Sequence, residues 1–338
     1  MPTVLLDARE AADPAPRGVG RYVRGLLGGL AGVEGWLVRA PVRGLPGPEV
    51  VHEQIGLGVA AARAGADVLH APNCFLPLLR RTPGVVTVHD LAFEAWPGDF
   101  APRTGWKYRA VTPRAVRSAQ RVVCVSAWTA GDVARRYGVD RERLRVVPNA
   151  PSLPVGNREQ PPGGPYVLAV GDLRAKKNLV RLVRAFRALR DQGLEHRLVL
   201  AGPDAGGGER LRAEVGDAPV ELTGWLDDGA LDALLRGADA LVHPSLYEGF
   251  GIVLVEAMVR GVPVVCSTAT ALPETAGDAA AYFDPLDEAA LAAALRGVLE
   301  DRTLRERLVA AGRERAARFS WARTARETAA VYAEALEA

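Results

Sequence analysis

The sequence has no apolar run approaching the ~18 residues that cross a bilayer, which argues against a transmembrane helix. The N-terminal stretch Met1–Asp7 has no basic segment and no long apolar segment, so no secretory signal is read. A cytoplasmic location is therefore expected, with association at the inner membrane face left open. Cysteine is scarce. Cys74, Cys124 and Cys266 are odd in number, far apart and set in apolar runs, which fits neither a disulfide framework nor a zinc site. His52, His70, His89, His196 and His243 keep no metal-type spacing with cysteines or carboxylates, so neither a metal nor a cofactor is expected. There is no short-period repeat and no Walker A loop. A net charge of only +2 and a basic stretch without interleaved aromatics argue against nucleic acid as a partner.

What is present reads as two soluble domains. The 338 residues, 49% apolar and 24% charged, suffice for two cores of ordinary composition. The charge divides unevenly: residues 1–155 carry 20 Lys/Arg against 13 Asp/Glu, and residues 156–338 carry 22 against 27. A basic half and an acidic half suggest different partners, though coding bias toward arginine gives the same picture. Short β-branched runs at 3–6, 68–69, 85–88, 122–125, 166–170, 197–201, 240–242 and 262–266 each end at a polar residue, Gly or Pro and are followed by a helical pattern. They are apolar on both alternations, the mark of strands buried on both faces of a parallel sheet. The fold class is α/β, doubly wound, with ligands expected beyond the carboxyl ends of the strands. Residues 148–165 hold six prolines and no periodicity and read as a linker. This places one Rossmann-like domain at 1–155 and a second at 163–319, expected to face each other across a cleft.

Five constellations stand out. In Ser245–Met258, a Glu248-Gly249-Phe250-Gly251 turn opens a helix from Ile252 that stops at Gly261. Its first amides suit an anion or a hydroxyl, and Glu248 with Glu256 suits two parts of one polar ligand, such as hydroxyl pairs of a sugar and a ribose. A capped surface helix is the plain alternative, but Glu256 lies in an apolar run where an unpaired charge is costly. Gly171–Asn178 follows a strand and opens a helix. Its cations Arg174, Lys176 and Lys177 suit a diphosphate and oppose the macrodipole if they lie in the first helical turn. Gly18-Val19-Gly20-Arg21-Tyr22 resembles a dinucleotide loop, but Val23 stands where its third small residue belongs. His89-Asp90 follows a buried strand, where a histidine is as readily structural as functional. Arg103, Lys107, Arg114, Arg117 and Arg121 fall on one helical stripe, interrupted by Pro113. The stripe could draw an anionic acceptor or lipid headgroups, or form a solvated face.

Taken together, these residues resemble the retaining glycosyltransferases of family 4, which have the GT-B fold. The similarity covers nearly the whole chain through G-V-G-R-Y at 18–22, H-A-P-N at 70–73, V-T-V-H-D at 85–90, V-S-A-W-T at 125–129, V-V-P-N at 146–149, G-D-L-R-A-K-K-N at 171–178, L-T-G-W-L at 222–226 and S-L-Y-E-G-F-G-x4-E-A-M at 245–258. F-S-W at 319–321 precedes a last helix, about 320–338, which in the family returns to the N-terminal domain. The resemblance implies that Glu248 holds hydroxyls of the transferred sugar with amides of Gly249, Phe250, Gly251 and Ile252. It implies that Glu256 binds ribose, and that Lys177 neutralises the diphosphate with Lys176 or Arg174 nearby. Trp225 and Leu226 would meet the nucleobase, Gly18 and Gly20 the donor phosphate or acceptor, and His89 the sugar. Many members have Arg where this chain has Asp172. The implied reaction moves a hexose, mannose or glucose for example, from a GDP- or UDP-linked donor to a hydroxyl on a glycan, lipid-linked or small-molecule acceptor, with retention and without a required metal. The alternatives are a non-catalytic nucleotide-sugar-binding paralogue and a GT-B-fold epimerase. A pyridoxal phosphorylase is disfavoured, because no lysine follows Lys177.

Overall fold

The computed structural model describes residues 1–14, 16, 18–42, 48–156 and 163–338; residues 157–162 of the expected linker lie outside them. The chain forms two units, residues 1–152 with 319–338, and residues 153–318. The first carries β1 Thr3–Leu6, β2 Leu37–Arg39, β3 Val68–Ala71, β4 Gly84–Val88, β5 Arg121–Cys124 and β6 Leu144–Val146, in the order β2-β1-β3-β4-β5-β6. The second carries β7 Tyr166–Val170, β8 Arg197–Ala201, β9 Val220–Gly224, β10 Ala240–His243, β11 Val264–Ser267 and β12 Ala280–Phe283, in the order β12-β11-β10-β7-β8-β9. Every pairing is parallel.

Alternation along β1 shows why the interior strands are apolar throughout. Val4 and Leu6 pack with Tyr22, Val23 and Leu26 on one face, and Leu5 packs with Leu57, Leu69 and Val86 on the other. Each fully buried side chain of this size contributes roughly 1.5–3 kcal/mol. Sequence periodicity locates all eight interior strands. It misses β2, β6, β9 and β12, which are the four sheet edges. None of them is buried along its whole length: β2 exposes Leu37 and Arg39, β6 carries Arg145 and β9 carries Glu221, so in these three a two-sided apolar run never forms, while the short run Ala280–Phe283 of β12 is alanine-rich and reads equally as helix.

In each sheet the strand order reverses once, between β1 and β3 and between β7 and β10. Such switch points open a crevice at the carboxyl ends of the strands. The helix Trp321–Leu336 belongs to the first unit. Ser320 caps it by accepting from the Arg323 N–H at 3.3 Å. Trp321 Nε1 donates to Pro151 O at 3.0 Å and Thr324 Oγ1 to Pro148 O at 2.8 Å, so residues 148–152, read from sequence as linker, are fixed to this unit. Among the described residues no helix is long and apolar enough to cross a membrane.

Candidate active site

The switch point of the second sheet gathers the strongest sequence signals. After β7 the chain runs through Gly171–Arg174 into a 3-10 turn, Ala175–Lys177, and Asn178 then takes the left-handed conformation at φ 58°. The α-helix starts only at Leu179. The cations therefore precede the helix instead of occupying its first turn, and the expected conflict with its dipole does not arise. Asn178 makes this bend possible, since asparagine tolerates positive φ and its side chain bonds locally. Its Nδ2 donates to Pro244 O at 3.1 Å and Pro285 O at 2.8 Å, and the Leu246 N–H donates to Lys176 O at 2.8 Å. These bonds tie the turn after β7 to the loops after β10 and β12.

The loop places Glu248, only 9% exposed, against both lysines. Its Oε1 accepts from Lys177 Nζ at 2.6 Å, from Ser245 Oγ at 2.9 Å and from His243 Nε2 at 3.2 Å; Lys176 Nζ lies 4.0 Å from Oε2. Burial by itself would raise the carboxyl pKa, but Lys177 and Lys176, aided by His243, hold it well below the usual carboxylate range. Burial lowers the His243 pKa, partly offset by Glu248, so its imidazole is neutral. An ionised carboxylate only accepts, which puts the His243 proton on Nε2. The backbone of Glu248 is clasped by Thr270, whose Oγ1 accepts from the Glu248 N–H and donates to the Glu248 carbonyl, each at 2.9 Å.

Gly251 then adopts φ +85° where the helix Ile252–Val259 begins, and a Cβ there would come within 2.6 Å of Leu272. No side chain caps this N-terminus. Gly249 and Phe250 form the turn before it, with Phe250 buried and its carbonyl accepting from Thr275 Oγ1 at 2.5 Å. Arg174 Nε lies 3.2 Å from Asp172 Oδ2, so Asp172 partly neutralises that cation. Trp225, 49% exposed, and Leu226 follow the carboxyl end of β9.

The two glutamates run to different groups. Glu256 Oε1 accepts from the Leu153 N–H at 2.9 Å and Oε2 from Arg260 Nη1 at 3.0 Å. Arg260, fully buried, also donates to Asp232 Oδ1 at 2.8 Å, Leu153 O at 3.1 Å and Pro154 O at 3.0 Å. In this state Glu256 anchors the segment entering the second unit.

In the first unit, Gly18 and Gly20 lie in the first turn of the helix Gly18–Leu30. A Cβ on Gly20 would meet Glu10 O at 2.5 Å, which is a packing reason for that glycine; Gly18 has open space. His89 donates from Nε2 to Pro72 O at 2.9 Å and sets its ring edge-on to Tyr22 at 4.8 Å. Burial lowers its pKa, so it is neutral with Nδ1 as an acceptor. The basic stripe needs correction. The helix Pro102–Ser118 runs through Pro113 without breaking, and Arg121 lies on β5, where it pairs with Glu334 at 2.9 Å. Lys107 bridges Glu49 and Glu53, and Arg117 donates to Tyr137 O. Arg114 donates to Ala110 O, so four members of the expected cationic face serve internal contacts.

Residues 37–151 match the family model described as Glycosyltransferase Family 4, and residues 157–315 the one described as Glycosyl transferases group 1. The chain is 30% identical over 282 residues to O-antigen chain mannosyltransferase B of Escherichia coli, covering 78% of this chain and 74% of that one. It is 31% identical over 316 residues to the MMP alpha-(1->4)-mannosyltransferase of Mycolicibacterium hassiacum, covering 87% and 76%. The chain belongs to the family 4 glycosyltransferases. Its fold matches solved structures of that GT-B class. Sucrose-phosphate synthase from Thermosynechococcus elongatus superposes with a TM-score of 0.79 at 23% identity, covering 99% and 98% of the two chains. Anabaena HepE, solved with UDP and glucose, superposes with a TM-score of 0.72 at 18% identity, covering 98% and 99%.

Sequence reasoning about this family 4 glycosyltransferase missed His243, Ser245 and Thr270 as partners of Glu248. A signal existed for two of them: His243 ends β10 and Ser245 lies two residues beyond, at a strand's carboxyl end as His89 is just after β4. Thr270 is 22 residues from Glu248, and no local pattern could point to it.

Proposed function

We propose that this glycosyltransferase transfers a hexose, with retention of anomeric configuration, from a GDP- or UDP-linked donor to a hydroxyl of a glycan, glycolipid or small-molecule acceptor. One observation carries the reading: two lysines converge on a buried, ionised Glu248 at the switch point of the second sheet. A diphosphate would take over Lys177, with Lys176 and Arg174 beside it, and would free Glu248 to accept from sugar hydroxyls. The amides from Gly249 to Ile252 would add preorganised donors. Glu256 would receive the ribose, and Trp225 with Leu226 the base. The roles that the resemblance gives to His89, Gly18 and Gly20 belong to the same proposal.

In the reaction the bond from C1 to the phosphate oxygen breaks, and the acceptor oxygen bonds C1 from the same face. The acceptor proton passes to the leaving phosphate oxygen. Lys177 and Lys176 offset the developing charge, so the proposed reaction is metal-independent. The named mannosyltransferase relatives favour mannose as the transferred sugar.

The test is a panel of nucleotide sugars read by thermal shift, then by turnover with the product's anomeric configuration assigned by NMR. A donor at 100 times its Kd adds about 2.7 kcal/mol to stability. A shift for one donor that is lost in Glu256→Ala, with a retained product, supports the proposal. A shift without turnover over an acceptor panel points to a sugar-nucleotide-binding paralogue. A product epimerised at the sugar points to an epimerase.

A further inference from the structure

Among the described residues, three that are not glycine have a positive φ: Cys74, Asn178 and Thr270. Asparagine tolerates that region. Threonine does not, because branching at Cβ makes its φ of 55° a steric outlier. Glycine or asparagine would adopt the same conformation at lower cost. Strain of this kind persists only where the surroundings over-determine it, and it gathers at active sites. Thr270 lies in the loop after β11, and that loop borders the Glu248 turn.

Three hydroxyls of this segment hold the backbone of the turn. Ser267 Oγ donates to Ser245 O at 2.6 Å, Thr270 Oγ1 to Glu248 O at 2.9 Å and Thr275 Oγ1 to Phe250 O at 2.5 Å. The Ala271 N–H adds a longer bond to Glu248 O at 3.4 Å. Of the three hydroxyls, only that of Thr270 also accepts from the N–H of the residue whose carbonyl it bonds. With both flanking peptides of Glu248 fixed, its side-chain torsions alone decide where the carboxylate lies. They bring Oε1 to Lys177, Ser245 and His243. Branching at Cβ stiffens χ1 of Thr270, so the hydroxyl is aimed without a choice of rotamer. The feature that strains the backbone is thus the one that makes the clasp rigid.

We infer that Thr270 is a positioning residue for glycosyl transfer: its strained backbone and doubly bonded hydroxyl hold Glu248 in the one orientation that serves the sugar. For its effect on turnover the inference rests on the reading of Glu248 as the sugar-binding carboxylate. Its effect on Glu248 itself is tested without any substrate. One consequence separates this role from plain structural support. Glycine at 270 relieves the strain but removes the clasp, so stability and activity should part company.

The experiment compares the full-length wild type with Thr270→Val, Thr270→Gly and Thr270→Ser, each checked for folding by its melting curve. The first readout is the Glu248 carboxyl signal in protein labelled with carbon-13 at glutamate Cδ, assigned by its loss in Glu248→Gln. Burial raises this pKa, and Lys177 and Lys176, with His243, pull it well below the ordinary range, so a carboxylate displaced from them titrates at higher pH. From pH 7.5 to 4.5 the wild-type signal should stay that of the ionised form, whereas Thr270→Val and Thr270→Gly should protonate within the range. The second readout is kinetics on the donor found in the screen. Both variants should lose about tenfold to 100-fold in kcat, the scale of a small misplacement at the reacting centre, with KM little changed. Thr270→Gly should melt above Thr270→Val yet be no more active. Thr270→Ser, which keeps the hydroxyl, should exceed both in kcat. The inference is overturned if Glu248 titrates as in wild type in folded Thr270→Val and Thr270→Gly, if Thr270→Ser is no better than Thr270→Val, or if turnover simply follows melting temperature. Should the wild type transfer from no donor, the transferase reading fails and the carboxyl titration alone decides the inference.

Discussion

Lysine 177 shows how far a single residue can be argued. All but three of the chain's 42 cationic side chains are arginine, and the three lysines are Lys107, Lys176 and Lys177. Two of them meet Glu248. Lysine and arginine are not interchangeable there, because the planar guanidinium is bulkier than an ammonium and presents its donors in a fixed fork. The Lys177 side chain lies so close to the backbone that a Cβ on Gly171 would be 3.1 Å from its Cε, and its compact ammonium reaches Oε1 at 2.6 Å. Lys177→Ala should therefore cut turnover by about 100-fold or more, the scale of removing one donor to a developing anion. Lys177→Arg should recover only part of it. Steady-state kinetics on the donor found in the screen checks both, and full activity in the arginine variant would refute the steric argument. This lysine and Glu248 were legible because each sits in a motif at a strand end. The distant partner of Glu256 was not, although Arg260 stands four residues on. Leu153 is 103 residues away, and nothing in the motif shows that its amide holds the carboxylate.

Elements tell a similar story. Strands buried on both faces announce themselves as apolar runs, whereas edge strands such as β9, with no fully buried residue, do not. The return of the last helix to the first domain was implied by resemblance, but its seat on the helix Gly18–Leu30, and the glycines that permit it, come from the structure. A Cβ on Gly25 would lie 2.0 Å from the Trp321 indole, whereas Gly28 has nothing within 4 Å. Two substitutions in one helix should thus have opposite signs. Gly25→Ala gains helix propensity but forces the indole aside, for a net loss of about 1–3 kcal/mol. Gly28→Ala should stabilise by roughly 0.5–1 kcal/mol. Denaturant unfolding of the two variants checks this, and equal effects would show that the helices repack freely.

For the whole molecule the buried histidines set the acid limit. His70 is fully buried between Tyr332 OH at 2.7 Å and Thr87 Oγ1 at 2.8 Å, so it joins the last helix to β3 and β4. Burial, with a smaller effect of His89, lowers its pKa to about 3. His89 and His243 are lowered too, again by burial first. In the unfolded chain all three take up a proton near pH 6.5; in the native state they resist it. The unfolded state then binds more protons, so stability is complete above pH 6.5 and falls as the pH drops below it, for His70 down to about 3. Glu53 acts in the opposite sense, since its raised native pKa favours the folded state as it protonates below about 7. Burial raises Glu10 in the same sense as Glu53 and lowers His52 as it does the other three, so two carboxyls oppose four histidines. Below the ordinary glutamate pKa, Glu248 joins the histidines, because its depressed native pKa gives stability that is lost in acid. Each proton of difference is worth about 1.4 kcal/mol per pH unit. Urea midpoints from pH 7.5 to 5 should fall monotonically. His70→Gln, though less stable at neutral pH, should show a slope shallower by up to about one such proton. An unchanged slope in that variant would place the acid sensitivity in the remaining histidines.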